Sequence, residues 1–157
     1  MRKLFTLLTA GLFVMLGATA AEQLDIRKIT NGAYSAQGVG GMRSMNDGEH
    51  YMMIGDGGTC LVRYAFKTGE VVDTLFSVNN TRGCDFKRFD GYIMSPAEDR
   101  ILIQTKTNYI YRRSFTAEYY IYDVKNRKMV PLSNGGPQQV PSFSPDGKMI
   151  AFVRDNN

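Results

Sequence analysis

His50 is the one histidine in the 157-residue sequence. That excludes a multi-histidine metal site, and no Cys-x-x-Cys pair offers a thiolate alternative. No Gly-x-Ser-x-Gly elbow presents a serine nucleophile, and nothing supports a Ser-His-Asp triad built around His50. Gly38-Val39-Gly40-Gly41-Met42-Arg43 begins like a dinucleotide-binding turn, but the last glycine is missing and no helical pattern follows. Gly55-Asp56-Gly57-Gly58 reads as a turn between strands. Asn79-Asn80-Thr81 fits a glycosylation sequon, a triplet common by chance. The expectation is no catalytic constellation, no metal and no cofactor in this chain. What stands out instead is YRRSFTAEYYIY at 111–122. Two adjacent arginines do not suit a packed strand, so the stretch is expected to begin in a loop. From Gln104 to Tyr119 there are 14 intervening residues, against 7 between Met53 and Leu61 at the matching place upstream. The longer connection carries Tyr109, Tyr111, Arg112, Arg113 and Phe115. Long connections between strands are where binding residues usually sit.

The elements that would hold this connection come from an internal repeat. Arg43–Gly55, Met94–Lys106 and Phe143–Asp155 each show a serine, a tight polar turn and an apolar strand. Ser44, Ser95 and Ser144 are spaced by 51 and 49. Asp47-Gly48 and Asp146-Gly147 favour tight turns, because glycine tolerates positive φ. The second copy has Ala97-Glu98-Asp99 and no glycine, so a different turn type is expected there. Between the copies, RYAFKTGEVVDTLF (63–76) and YYIYDVKNRKMVPLS (119–133) each read as strand, turn, strand. A period near fifty with about four short strands matches one blade of a β-propeller, and helical periodicity is absent after the first twenty residues. The expected fold is all-β, a partial β-propeller of about two blades plus the start of a third.

Residues 1–20 have a basic start (Arg2, Lys3), an apolar run from Leu4 to Leu16 and a small-x-small site at Ala18-Thr19-Ala20. This is a signal-peptide pattern, and the run is short of the roughly 20 residues a membrane span needs. The expected organisation is a signal peptide (1–20), a segment leading into the first blade (21–42) and blades over 43–157. Export, periplasmic or secreted, follows. The formal charge of +4 falls to +2 once Arg2 and Lys3 leave, and no basic run exceeds two residues in the remainder, so nucleic acid is not an expected partner. Cys60 and Cys84 then lie where a disulfide can form, worth about 3 kcal/mol for such a loop; two buried free thiols are the alternative. Propellers close with roughly four to eight blades, and an open array leaves sheet edges bare. The sequence is therefore expected to be the front part of a longer protein.

The stretch 94–153 resembles the propeller of the dipeptidyl peptidase IV family, in the prolyl oligopeptidase class of serine peptidases. The residues that carry the likeness are SPAEDRILIQTKTNYIYRRSFTAEYYIYDVKNRKMVPL followed by PSFSPDGKMIAFVRDNN, and GMRSMNDGEHYMMI resembles the family's first blade. The Arg-basic-Ser-aromatic-Thr-Ala segment is specific, whereas Ser-Pro-Asp-Gly turns occur in many exported propellers. The resemblance implies an eight-bladed propeller capping an α/β-hydrolase domain, and removal of dipeptides with proline or alanine second from peptide amino termini. It implies that Arg112 binds a substrate carbonyl or carboxylate, a task suited to a planar fork of donors. No role is implied for Arg113, which is expected on a solvated rim or a domain interface. The family's paired glutamates and its catalytic serine, aspartate and histidine have no counterpart here, so this chain alone is expected to be inactive. Partners implied are a peptide substrate, the α/β-hydrolase domain of the same protein and, since members often dimerise, a second copy. The alternative is a non-catalytic, TolB-like periplasmic propeller that serves as a binding scaffold. A further option is another peptidase of the class, an acylaminoacyl or tripeptidyl enzyme.

Overall fold

Strand pairing turns the repeat into blades. The computed structural model describes residues 24–36, 38 and 40–155, so the signal-peptide segment 1–20 lies outside the described residues. The chain divides into units 1–38 and 39–157. In the first, a short helix α1 (Ile26–Thr30) starts at Asp25, whose Oδ1 accepts the Arg27 N–H at 2.8 Å. It is too short to register as periodicity, and it corrects the expectation of no helix beyond residue 20.

The second unit holds two four-stranded antiparallel sheets and a hairpin. The first blade is β1 (Arg43–Ser44), β2 (His50–Gly55), β3 (Cys60–Ala65) and β4 (Val71–Ser77). The second is β5 (Gly91–Met94), β6 (Arg100–Tyr109), β7 (Phe115–Asp123) and β8 (Lys128–Pro131). β9 (Gln139–Phe143) and β10 (Ile150–Val153) form the hairpin that begins a third. Four strands per repeat is what the sequence predicts.

The turns correct the alignment of the repeat. Met45, Ser95 and Ser144 each donate their N–H to the carbonyl five residues on, His50, Arg100 and Met149, at 2.9 Å in every case. The equivalent of Ser95 is thus Met45, not Ser44. The second turn is also the same turn as the others. Glu98 adopts φ +57 where Gly48 and Gly147 have +71 and +69, and each donates its N–H to the first residue of its turn. A non-glycine residue in the left-handed region costs about 1 kcal/mol. Glu98 offsets some of that across the blades, since its carboxylate accepts the Asn46 N–H at 3.0 Å while Asn46 Nδ2 donates to Pro96 O at 2.8 Å.

Both faces of the second blade are buried, which is why Ile101-Leu102-Ile103 is an unbroken apolar run. Ile101, Ile103, Tyr120 and Tyr122 pack toward Met52, Leu61 and Phe76 of the first blade. Leu102, Ala117 and Tyr119, one residue out of phase, pack toward Phe143 and Ile150 of the hairpin. Phe76 is the pivot between blades, edge-on to Phe89 at 5.5 Å and to Tyr122 at 5.0 Å. Gly58 brings the linker between blades into register. At φ +95 it accepts the Phe89 N–H at 2.8 Å, and a Cβ there would lie 2.6 Å from Phe89 O.

Cys60 and Cys84 are both free thiols. The candidate bridge between them is not formed, because each sulfur has a different neighbour. Cys60 Sγ lies 3.7 Å from the Asp56 carboxylate, and Cys84 Sγ lies 3.4 Å from Phe86 O.

Candidate functional site

β6 and β7 are 10 and 9 residues long, while β5 and β8 on either side have 4 each. Gly91 at the end of β5 pairs with Gln104, so beyond that point the β6–β7 hairpin has lost its β5 neighbour. The connection of 14 residues between Gln104 and Tyr119 is therefore mostly a paired arm. Thr105 pairs with Glu118, Asn108 with Thr116 and Tyr109 with Phe115, with a register shift between Thr105 and Asn108. Lys106 takes φ +52 in that bulge. Tyr109 and Phe115 also meet ring to ring at 5.7 Å.

The true loop is Ile110 to Ser114, closed by Ile110 N–H and Tyr111 N–H donating to Ser114 O at 2.9 and 3.1 Å. It holds Tyr111, Arg112 and Arg113, all exposed. The expectation that YRRSFTAEYYIY starts in a loop and then enters a strand matches this arrangement. Neither arginine has an ion-pair partner among the described residues. Arg113 joins Ile93, Gln104, Phe115, Tyr119 and Val140 around a cleft of about 330 Å3 facing the third-blade hairpin. Arg112 lines neither that cleft nor the one of about 440 Å3 formed by Ile54, Arg88, Phe89, Asp90, Thr107 and Tyr109. Its guanidinium stands clear at the tip of the arm.

The base of the arm is braced by two polar sets that sequence reasoning missed. In the first, Asp90 Oδ2 accepts both the N–H and the hydroxyl of Thr107, at 3.1 and 2.8 Å, while Gln104 Nε2 donates to Thr107 Oγ1 at 2.9 Å. In the second, Lys106 Nζ donates to Glu118 Oε2 at 2.7 Å and the Tyr120 hydroxyl donates to Asp85 Oδ1 at 2.9 Å. The Glu118 partner raises the Lys106 ammonium above its ordinary pKa. Burial, reinforced by the Asp85 hydrogen bond, raises the Tyr120 phenol. Both groups stay protonated at neutral pH. No motif announces these residues; Asp85 and Asp90 lie in the linker and Lys106 and Thr107 in the bulge, where neither period two nor spacing gives a signal, while Gln104, Glu118 and Tyr120 read as ordinary strand positions.

His50 has a structural role. His50 Nδ1 lies 2.7 Å from Asp47 Oδ2, which secures the first turn, and among the described residues no serine hydroxyl is hydrogen-bonded to the ring. Among the described residues, no group of three or more His, Cys, Asp or Glu is placed to hold a metal ion.

Four-stranded blades packed face to face, with a presenting arm on the second, define a β-propeller. Comparison with known proteins narrows this. Residues 95–157 match the family model described as the dipeptidyl peptidase IV N-terminal region. The crystal structure of Porphyromonas gingivalis dipeptidyl peptidase 4 is 45% identical and superposes with a TM-score of 0.75, over 88% of this chain and 20% of that one. A probable dipeptidyl peptidase 4 of Emericella nidulans is 44% identical over 68 residues, 42% of this chain and 9% of the relative. A probable dipeptidyl-aminopeptidase B of the same organism is 29% identical over 156 residues, 90% of this chain and 17% of the relative. These matches support an amino-terminal part of a dipeptidyl peptidase IV propeller. The chain spans about a fifth of the length of the solved relative and less than that of the curated ones.

Proposed function

We propose that this chain is the substrate-facing front of the propeller of an exported serine-type dipeptidyl peptidase, and that Arg112 holds a carbonyl or carboxylate oxygen of the bound peptide. The observation that carries the reading is the arm: a hairpin braced at its base that presents an exposed arginine with no ion-pair partner among the described residues. An arginine kept free of carboxylates, on a rigid support, suits a planar oxygen ligand. The peptide bond would be cut by an α/β-hydrolase domain of the same polypeptide, with release of X-Pro or X-Ala dipeptides by the intact protein. Export rests on the signal-peptide pattern of residues 1–20. The test is to incubate the intact protein, purified from the exported fraction, with X-Pro and X-Ala peptides and follow dipeptide release by mass spectrometry. Release that a serine-directed fluorophosphonate abolishes supports the reading. Absence of release from every such peptide overturns it.

A further inference from the structure

Arg112 can serve a ligand only if the arm points it in one direction, and the sheet ladder alone does not ensure that. β5 begins only opposite Gln104, and just beyond that point the β6–β7 pairing slips between Thr105 and Asn108. A bulge with a left-handed residue, Lys106 at φ +52, is a point where a hairpin bends. Lys106 and Glu118 bond across the hairpin and so stiffen it, but both lie within it.

The linker between blades supplies the outside anchor. Asp90 Oδ2 takes two hydrogen bonds from Thr107 in the bulge, one from the N–H that the slipped register leaves without a strand partner and one from the hydroxyl. Asp90 is itself fixed, since its N–H donates to Gln104 O at 2.8 Å. Its neighbour Phe89 is buried and is held by Gly58, and the Thr105 hydroxyl donates to Arg88 O at 3.2 Å. The strut therefore runs from the core between the blades, through Phe89 and Asp90, to the hinge of the arm.

We propose that Asp90 is a positioning residue that acts through Thr107 to set the direction in which the arm presents Arg112. Its consequence for turnover rests on the reading of Arg112 above; the strut itself does not.

The experiment has two arms. In the 157-residue chain, hydrogen exchange is followed for Asp90→Ala, Asp90→Asn and Thr107→Val. Asp90→Ala is expected to speed exchange of the amides of residues 109–117 about tenfold, as loss of a charged hydrogen bond at a local opening would. Amides of Ile101–Ile103 should keep their rates. Asp90→Asn retains an acceptor oxygen and should stay within about threefold, while Thr107→Val, which keeps the backbone bond, should fall between. Unchanged exchange in the arm, or equal acceleration in arm and core, overturns the strut. In the intact peptidase, Asp90→Ala should lower kcat/KM for an X-Pro peptide about tenfold, yet add nothing to Arg112→Ala, because it acts through that residue. Additive losses overturn the positioning role. Normal turnover by Arg112→Ala alone would sink the reading of Arg112, and the exchange result would still decide the strut.

Discussion

Replacing Gly58 by alanine should unfold the protein far more readily than the same change one residue earlier. Both glycines have positive φ, +64 at Gly57 and +95 at Gly58, so each alanine pays backbone strain. For Gly57, near the centre of the left-handed region and with nothing within 4 Å of the added Cβ, that strain is the whole effect, about 1 kcal/mol. At Gly58 the Cβ would lie 2.6 Å from Phe89 O, a backbone atom that cannot rotate away. Relief requires the linker to shift, which breaks the 2.8 Å Phe89 N–H to Gly58 O bond and disturbs Phe89 against Phe76. Overpacking of this kind adds about 2 kcal/mol, for a total near 3 kcal/mol. The gain from a stiffer unfolded chain is common to both variants and cancels in the comparison. With a urea slope of about 1.5 kcal/mol/M, the midpoint should fall about 2 M for Gly58→Ala and under 1 M for Gly57→Ala. Urea titration followed by tyrosine fluorescence and by circular dichroism measures both. Equal midpoints for the two variants would refute the close approach of the Gly58 turn to the linker.

Glu98→Ala keeps the left-handed backbone but removes the bond to the Asn46 N–H, so it should cost about 0.5–1 kcal/mol in the same titration, whereas Glu98→Gly, which relieves φ, should be nearly neutral. Asp47, Asp123 and Asp146 have carboxyls held below the ordinary 3.8, chiefly by the His50 ring, the Asn126 N–H and the Ser144 hydroxyl respectively. A depressed folded pKa gives stability that is present above the unfolded value and is lost as pH falls through the folded one. Thermal midpoints should therefore drop below about pH 4, and a variant with Asp123→Ala and Asp146→Ala should show a shallower drop. Burial pushes both the Cys60 and Cys84 thiols up, with Asp56 adding to the shift at Cys60. At pH 8 both should react with a thiol reagent more slowly than free cysteine, and Cys84, the less buried, should react first. A denatured, unreduced sample that titrates no thiol would contradict the free state.

The blades were legible because four strands per period leave alternation and turn residues in plain view. Two features were not. Ser44 looks like Ser95, but the turn hydrogen bonds make Met45 the equivalent, since register follows backbone pairing rather than side-chain identity. Glu98 hides a shared turn, because a bond to the neighbouring blade supports a conformation that sequence assigns to glycine. The arm was misread for a related reason. A bulge at Thr105–Asn108 breaks the period of two, so Thr-Lys-Thr-Asn-Tyr looks like loop although most of it is paired. For the candidate site, the exposed Arg112 tip was legible from the implausibility of paired arginines in a strand. Asp90, Thr107 and Glu118 were not, since their relation to the arm exists only after the linker folds against the bulge.

The most direct test of the proposed function is steady-state cleavage of an X-Pro peptide by the intact protein carrying Arg112→Ala or Arg113→Ala. Loss of a charged hydrogen bond to substrate corresponds to about 10–100-fold in kcat/KM. Arg112→Ala should lose turnover in that range, and Arg113→Ala, at a residue that borders the cleft toward the third-blade hairpin, should change it within about twofold. Unimpaired turnover by Arg112→Ala, or an equal loss from both variants, would contradict it.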